Sequence, residues 1–282
     1  MTGKVTIHTL RGKMEKGQPI TMITGYDYPM ALLEERAGID IILVGDSLGM
    51  TVLGYDSTLP VTMDVMVEHA KAVRRGAPNA YVIGDMPYMS YQVSIEEAVR
   101  NAGCFMKEAG MDAVKLEGGR NVVDVVAALT KATIPVMGHL GLTPQSIAML
   151  GGFKAQARDV AAAETIIEDA RAIEEAGAVA ILLEAVPSEV AKVITERAGI
   201  PIIGIGAGLN CHGQLLIVHD MLGFFDAFTP KFVKKYANLN QVILGALTQY
   251  IEDVKQGTFP AGEHCYKMQP EALAKFKEKY WK

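Results

Sequence analysis

Cysteine is scarce in this 282-residue sequence: Cys104, Cys211 and Cys265 are odd in number and widely spaced. That spacing argues against a disulfide framework or a zinc cluster, and each reads as a buried free thiol. Charge of one sign is scarce as well. The formal net charge is −5 and the basic residues are scattered, so the chain carries no electrostatic footprint for nucleic acid. Long uncharged apolar runs are missing too. No stretch without Asp, Glu, Lys or Arg is longer than the one from Ala198 to His219, which contains Pro201 and five glycines and so cannot be a single membrane-spanning helix. No basic stretch followed by an apolar run opens the chain. The expectation is a cytoplasmic protein acting on small molecules, with neither nucleic acid nor membrane as partner.

What is present is core material. Half of the residues are hydrophobic and 21% are charged, a balance that buries a large core and carries no mark of disorder. Short Ile- and Val-rich runs alternate with segments of helical periodicity, the order of a parallel sheet covered by helices. Strands are expected near Thr21 to Thr24, Ile39 to Val44, Tyr81 to Gly84, Ala113 to Leu116, Pro135 to Gly138, Ala180 to Leu183, Pro201 to Ile205 and Leu215 to Val218. Eight strands in a chain of this length predict an α/β fold of the (β/α)8 TIM-barrel type. No linker composition divides the chain, so one barrel domain spans 1–282, with a C-terminal helical extension from about 231.

Helix signals support the alternation. Ser94 and Glu97 form a capping-box pattern ahead of Ile95, Val99, Ala102 and Met106, and Gly110 suits a left-handed stop. The Ala-Gly pairs at 37–38, 176–177 and 198–199 repeat that punctuation. From Arg158 to Ala176 the residues Val160, Ala163, Ile167, Ala170 and Ile173 make one apolar stripe. Phe232 to Val254 and Glu271 to Lys279 read as further helices, whose apolar faces close the barrel or meet another subunit.

In a parallel barrel the reactive face lies at the carboxyl ends of the strands. Ionisable residues accumulate there: Asp27, Asp46 with Ser47, Asp85, Lys115 and Glu117, His139, Glu184 and Asp220. A single aspartate at a strand end is as readily a cap for a turn or the next helix. Several around one mouth are different, because unneutralised carboxylates repel one another and a bound cation relieves them. With oxygen ligands, no cysteine and one histidine, Mg²⁺ or Mn²⁺ is favoured over Zn²⁺. Asp46 and Asp85 are the expected direct ligands, with Glu117 holding a metal-bound water.

Lys115 and Glu117 are two residues apart and share a strand face. A lysine there sits beside carboxylates or an anionic substrate; a Schiff-base lysine is the competing role. Glu184 enters apolar Ala185-Val186-Pro187, a setting that makes a carboxylate a useful base, although capping the helix near Ser188 is the plainer role. His139 is a candidate for the substrate site against the commoner structural role of a core histidine. Gly204, Gly206 and Gly208 resemble a phosphate-binding loop of barrel enzymes, or simply permit a tight turn.

Longer runs carry a resemblance. They are Tyr26-Asp27, Gly45-Asp46-Ser47-Leu48-Gly49-Met50, Val61-Thr62-Met63 with His69, and Gly84-Asp85-Met86-Pro87. They continue as Val114-Lys115-Leu116-Glu117-Gly118-Gly119, Gly138-His139-Leu140-Gly141-Leu142-Thr143-Pro144-Gln145, Leu183-Glu184 and Gly204-Ile205-Gly206-Ala207-Gly208. In that order, over nearly the whole chain, they resemble the ketopantoate hydroxymethyltransferase (3-methyl-2-oxobutanoate hydroxymethyltransferase) family. The resemblance implies Mg²⁺ on Asp46 and Asp85, Glu117 in the metal site directly or through water, Ser47 and Lys115 on the oxo acid, and Glu184 as proton acceptor.

It also implies the reaction. A hydroxymethyl group passes from 5,10-methylenetetrahydrofolate to 3-methyl-2-oxobutanoate through a Mg-stabilised enolate, giving 2-dehydropantoate for pantothenate and coenzyme A synthesis. The family forms large homo-oligomeric rings, commonly decamers. His212 departs from the family pattern, where aspartate is more usual, and this bears on local loop contacts or subunit packing. Two other readings compete: a metal-dependent 2-oxo acid lyase or mutase of a related barrel family, and a barrel kept as a non-catalytic scaffold.

Overall fold

A computed structural model describes residues 3–152 and 155–281. Eight parallel strands pair in chain order and close into a barrel, β8 bonding back to β1. They are β1 (Ile20–Thr24), β2 (Ile41–Val44), β3 (Tyr81–Asp85), β4 (Ala113–Glu117), β5 (Val136–Gly141), β6 (Ala180–Glu184), β7 (Ile202–Ile205) and β8 (Gly213–Leu216). Each falls within two or three residues of its expected place. The ends of β3 to β6 run further than expected, so Asp85, Glu117, His139 and Glu184 lie inside strands. Their carboxyl-end backbone is therefore held in the ladder instead of in loops.

The strand period of two explains what fills the barrel. On β3 the inward series is Tyr81, Ile83, Asp85; on β4 it is Ala113, Lys115, Glu117; on β5, Met137 and His139; on β6, Ala180, Leu182, Glu184. The lower members form one apolar cluster with Ile41, Leu43 and Ile203. The upper members are charged. One sequence pattern thus builds a dry plug below and a polar mouth above.

Helices cover the outside. They are α1 (Ile7–Glu15), α2 (Tyr28–Ala37), the short α3 (Leu48–Thr51), α4 (Met63–Gly76), α5 (Ile95–Lys107) and α6 (Val123–Lys131). Then come the short α7 (Ile147–Leu150), α8 (Val160–Glu175), α9 (Ser188–Arg197), the short α10 (Val218–Met221), α11 (Leu239–Gln256) and α12 (Pro270–Tyr280). α1 closes the amino end: Leu10 joins the inner cluster and Lys13 pairs with Asp40 at 2.5 Å. Gly84 lets α5 press on β3, since a Cβ there would collide with the Phe105 ring, and that contact seats the strand carrying Asp85.

Several local expectations need correction. Ser94 caps α5 by accepting from the Glu97 N–H, without the reciprocal bond from the Glu97 side chain. Gly38, Gly110 and Gly177 have positive φ, whereas Gly199 does not. Val160, at the first turn of α8, is exposed and off the apolar stripe. The loop 206–212 links β7 to β8 without a helix. Residues 232–238 are not helical; Tyr236 and Leu239 donate to the carbonyls of Met221 and Leu222, which pins the segment along α10 before α11 begins. Neither α11 nor α12 contributes a buried residue, so they do not close the barrel. The cysteines are free, but Cys104 and Cys211 are half-buried and Cys265 is exposed. No described helix is long and apolar enough to cross a membrane.

Candidate active site

The barrel mouth opens into a cavity of about 990 Å³. Asp46, Ser47, Asp85, Lys115, Glu117, His139 and Glu184 all line it, so closure gathers every site residue expected from the strand ends except Asp27. Asp27 is exposed and caps α2, accepting from the Met30 N–H at 2.8 Å.

The charged side chains form a connected chain. Lys115 Nζ lies 2.8 Å from Asp85 and 3.9 Å from Glu117. Asp85 accepts from the Asp46 N–H at 3.0 Å, which ties the loop after β2 to the end of β3. His139 Nδ1 is 3.3 Å from Glu117 and from Lys115 Nζ, and its Nε2 is 3.3 Å from Glu184. A single imidazole therefore stands between the two glutamates, 3.3 Å from each. Ser47 stands beside this chain, its hydroxyl 2.8 Å from that of Tyr26.

Burial sets the electrostatics. Asp46 is held well above the usual carboxylate range, first by loss of water and then by the neighbouring Asp85 charge. Asp85 is raised for the same first reason, against the opposing pull of Lys115. Burial also opposes ionisation of Glu117, yet His139 and Lys115 together outweigh it and hold that carboxyl low. Burial and the Lys115 charge push His139 down, but its bonds to Glu117 and Glu184 win and lift it to about 9. Lys115 ends above its ordinary value because Asp85, Glu117 and Asp46 overcome its desolvation. A lysine so firmly cationic is a carboxylate partner and a poor Schiff-base nucleophile.

Gln145, in the turn after β5, escaped the sequence reading except as part of a run of matched residues. Its side-chain amide donates to Asp46 Oδ2 and to the Met86 carbonyl, both at 2.9 Å, and its oxygen accepts from the Tyr91 hydroxyl at 2.7 Å. Its backbone N–H donates to Glu117 Oε2 at 3.0 Å. A search for ionisable residues passes over a neutral amide, although Thr143-Pro144-Gln145 directly after a strand was a turn signal in the right place.

The donor set suits a hard divalent cation. Asp46 accepts a side-chain hydrogen bond from Gln145 on Oδ2. Among the described residues no group of three or more His, Cys, Asp or Glu side chains is arranged to hold a metal. A cation at Asp46 and Asp85 would thus complete its shell from water and substrate, as Mg²⁺ does.

The glycine run has a packing role. Gly206 and Gly208 have positive φ, and a Cβ on Gly206 would come within 2.6 Å of the Phe232 ring. His212 lies at the opposite, amino end of β8, where its Nδ1 accepts from the Ile202 N–H at 3.0 Å. Burial depresses its proton affinity, matching that neutral, structural use far from the mouth.

A closed parallel barrel with buried acids, a lysine and a histidine at its carboxyl end defines the chain as a (β/α)8-barrel enzyme. Similar folds include phosphonopyruvate hydrolase, at TM-score 0.60 and 15% identity over 99% of this chain and 100% of that one. Another is 2,3-dimethylmalate lyase of the PEP mutase/isocitrate lyase superfamily, at 0.59 and 18% over 95% and 93%. Among curated relatives, the 3-methyl-2-oxobutanoate hydroxymethyltransferase of Syntrophus aciditrophicus is 59% identical over 93% of this chain and 97% of its own length. Its namesake from Syntrophomonas wolfei is 55% identical over 96% and 98%. The family described as ketopantoate hydroxymethyltransferase matches residues 4–262, and the chain belongs to it.

Proposed function

We propose that this enzyme transfers a hydroxymethyl group from 5,10-methylenetetrahydrofolate to 3-methyl-2-oxobutanoate, giving 2-dehydropantoate for pantothenate and coenzyme A synthesis. The observation that carries the chemistry is the Asp85–Lys115–Glu117–His139–Glu184 chain at one barrel mouth, in a chain 59% identical to a relative named for this activity.

Asp46 and Asp85 are the residues that would hold Mg²⁺, and Gln145 orients Asp46 for it. Bound there, Mg²⁺ supplies Lewis-acid polarisation of the 2-oxo group. Glu117 has its oxygens directed at Gln145, His139 and Lys115, so its place in the metal site is through water. Lys115 and Ser47 contact the oxo acid, the ammonium facing its carboxylate.

Glu184 accepts the C3 proton, and His139 holds its carboxylate in place while lending positive charge as the proton moves. C3 then forms a bond to the folate methylene carbon as that carbon's bond to N10 breaks, N10 taking up the proton that C3 gave up. Water replaces the remaining bond to N5, its oxygen becoming the hydroxyl and its proton going to N5, and tetrahydrofolate leaves.

The same reading takes the chain as one barrel domain with a C-terminal extension, in a cytoplasmic homo-oligomer, a decamer. Three free thiols suit a reducing compartment. Exposed Val242, Leu244, Leu247 and Tyr250 on α11 suit a subunit contact.

Glu184→Gln tests the base role: oxo-acid binding is retained, while solvent deuterium exchange at C3, followed by NMR, falls by roughly 10²- to 10⁴-fold. Exchange at the unsubstituted rate removes Glu184 from that role.

A further inference from the structure

The cavity is larger than its charged floor requires. Its volume, about 990 Å³, lies near the top of the range that holds drug-sized ligands, far beyond what a five-carbon oxo acid fills. The surplus lies outward, where Phe225, Phe228 and Phe232 line the wall and Arg158 and Lys231 stand exposed at the rim.

One polar group there lacks a use. Asp220, in α10 just beyond β8, is 4% exposed and lines the same cavity, yet among the described residues its carboxylate has neither a hydrogen-bond nor an ion-pair partner. Burial raises its proton affinity, to about 6 against the lowering effect of Lys235, and its carboxylate faces the cavity, open to a ligand. It belongs to neither the Asp46–Asp85 pair nor the chain of contacts from Lys115 to Glu184. A buried carboxylate of this kind is complementary to a ligand presenting two N–H donors side by side.

Reduced folate has that chemistry. The pyrimidine edge of its pterin offers a ring N–H and an exocyclic amine as a fork, its ring faces pack on aromatic side chains, and its tail ends in carboxylates. We propose that Asp220 binds the pyrimidine edge of the folate pterin, that Phe225 and Phe232 pack against its ring, and that Arg158 and Lys231 take the glutamate carboxylates. The assignment rests on the function proposed above. It leaves the oxo acid on the floor and brings the folate methylene down from the β8 side of the mouth.

Calorimetric titration of the full-length enzyme, loaded with Mg²⁺ and 3-methyl-2-oxobutanoate, tests it with two probes. These are tetrahydrofolate, and 6-methyltetrahydropterin, which keeps the pyrimidine edge and lacks the tail. Asp220→Asn is expected to weaken both by roughly 10- to 100-fold, with C3 deuterium exchange, which needs no folate, retained. The double variant Arg158→Ala with Lys231→Ala is expected to weaken tetrahydrofolate by roughly 3- to 10-fold and leave the pterin unchanged. Unaltered binding of both probes by Asp220→Asn overturns the assignment, as does an equal loss of deuterium exchange, the sign of a merely structural defect. If the unsubstituted enzyme exchanges C3 deuterium but neither binds nor turns over folate, the proposed function itself fails; if it turns over folate and only the variants disagree, the subsite alone fails.

Discussion

At the carboxyl ends of β2 to β5, Asp46, Asp85, Lys115, Glu117 and His139 are charged or titratable and between 1% and 4% exposed. Beyond β8 the pattern inverts: on α11, Val242, Leu244, Leu247 and Tyr250 are apolar and between 55% and 65% exposed. Both arrangements are costly for an isolated subunit, and for opposite reasons. The floor withholds water from charge and the extension leaves hydrocarbon in water. The floor's cost is met within the chain, by Lys115 on Asp85 and His139 between the glutamates. Among the described residues, α11 and α12 bury none of their own side chains. The candidate site therefore lies where charge is buried, and the proposed subunit contact where hydrocarbon is bare.

Asp46→Asn is expected to produce the largest effect. Turnover should fall by about 10³-fold or more, because the substitution removes a ligand from the residues that would hold Mg²⁺. The metal-free protein should become more stable, because one of two crowded buried carboxylates is gone. Steady-state kinetics and thermal melts with chelator check both halves, and loss of stability alongside activity would mean that the floor bears no cost for holding both carboxylates.

Glu34, on α2 within the barrel wall, sharpens the same contrast away from the site. Both of its carboxyl oxygens are buried without a hydrogen-bond partner, and burial, with help from the Asp27 charge, raises it from 4.5 to about 8. Folded Glu34 keeps its proton while the unfolded chain has lost it, so stability falls as pH rises from 4.5 through about 8. Glu34→Gln should flatten that decline by an amount on the order of a few kcal/mol. Urea unfolding at pH 5 and pH 9 measures it; an unchanged pH dependence would mean that the carboxyl is satisfied.

How much of this was legible beforehand follows the same division. Strand ends were readable because the period of two is local: Lys115 and Glu117 share a face whatever surrounds them. Once eight strands were counted, closure supplied the convergence. What escaped depends on contacts made across the fold. Gln145 reaches Asp46, 99 positions away, through a neutral side chain, and Asp220 differs from Asp27 only in what surrounds it. One lines the cavity while the other caps a helix. In the extension the apolar stripe of α11 was visible, but residues 232–238 are held out of the helix by bonds to α10 that no local pattern encodes.

Leu247→Lys is expected to have the smallest effect on the barrel itself. Leu247 is 55% exposed, so the subunit's own stability should change by no more than about 0.5 kcal/mol. The oligomer, sized by light scattering after gel filtration, should shift towards smaller species. Unchanged size would detach α11 from assembly.

The central claim is that the acids of the barrel mouth act around one divalent cation to make C3 of the oxo acid a nucleophile. Deuterium exchange at C3 of 3-methyl-2-oxobutanoate, measured in heavy water before and after complete chelation, tests it without involving folate. The account predicts exchange that stops on chelation and returns with Mg²⁺. Exchange continuing at the same rate in the chelated enzyme would contradict it.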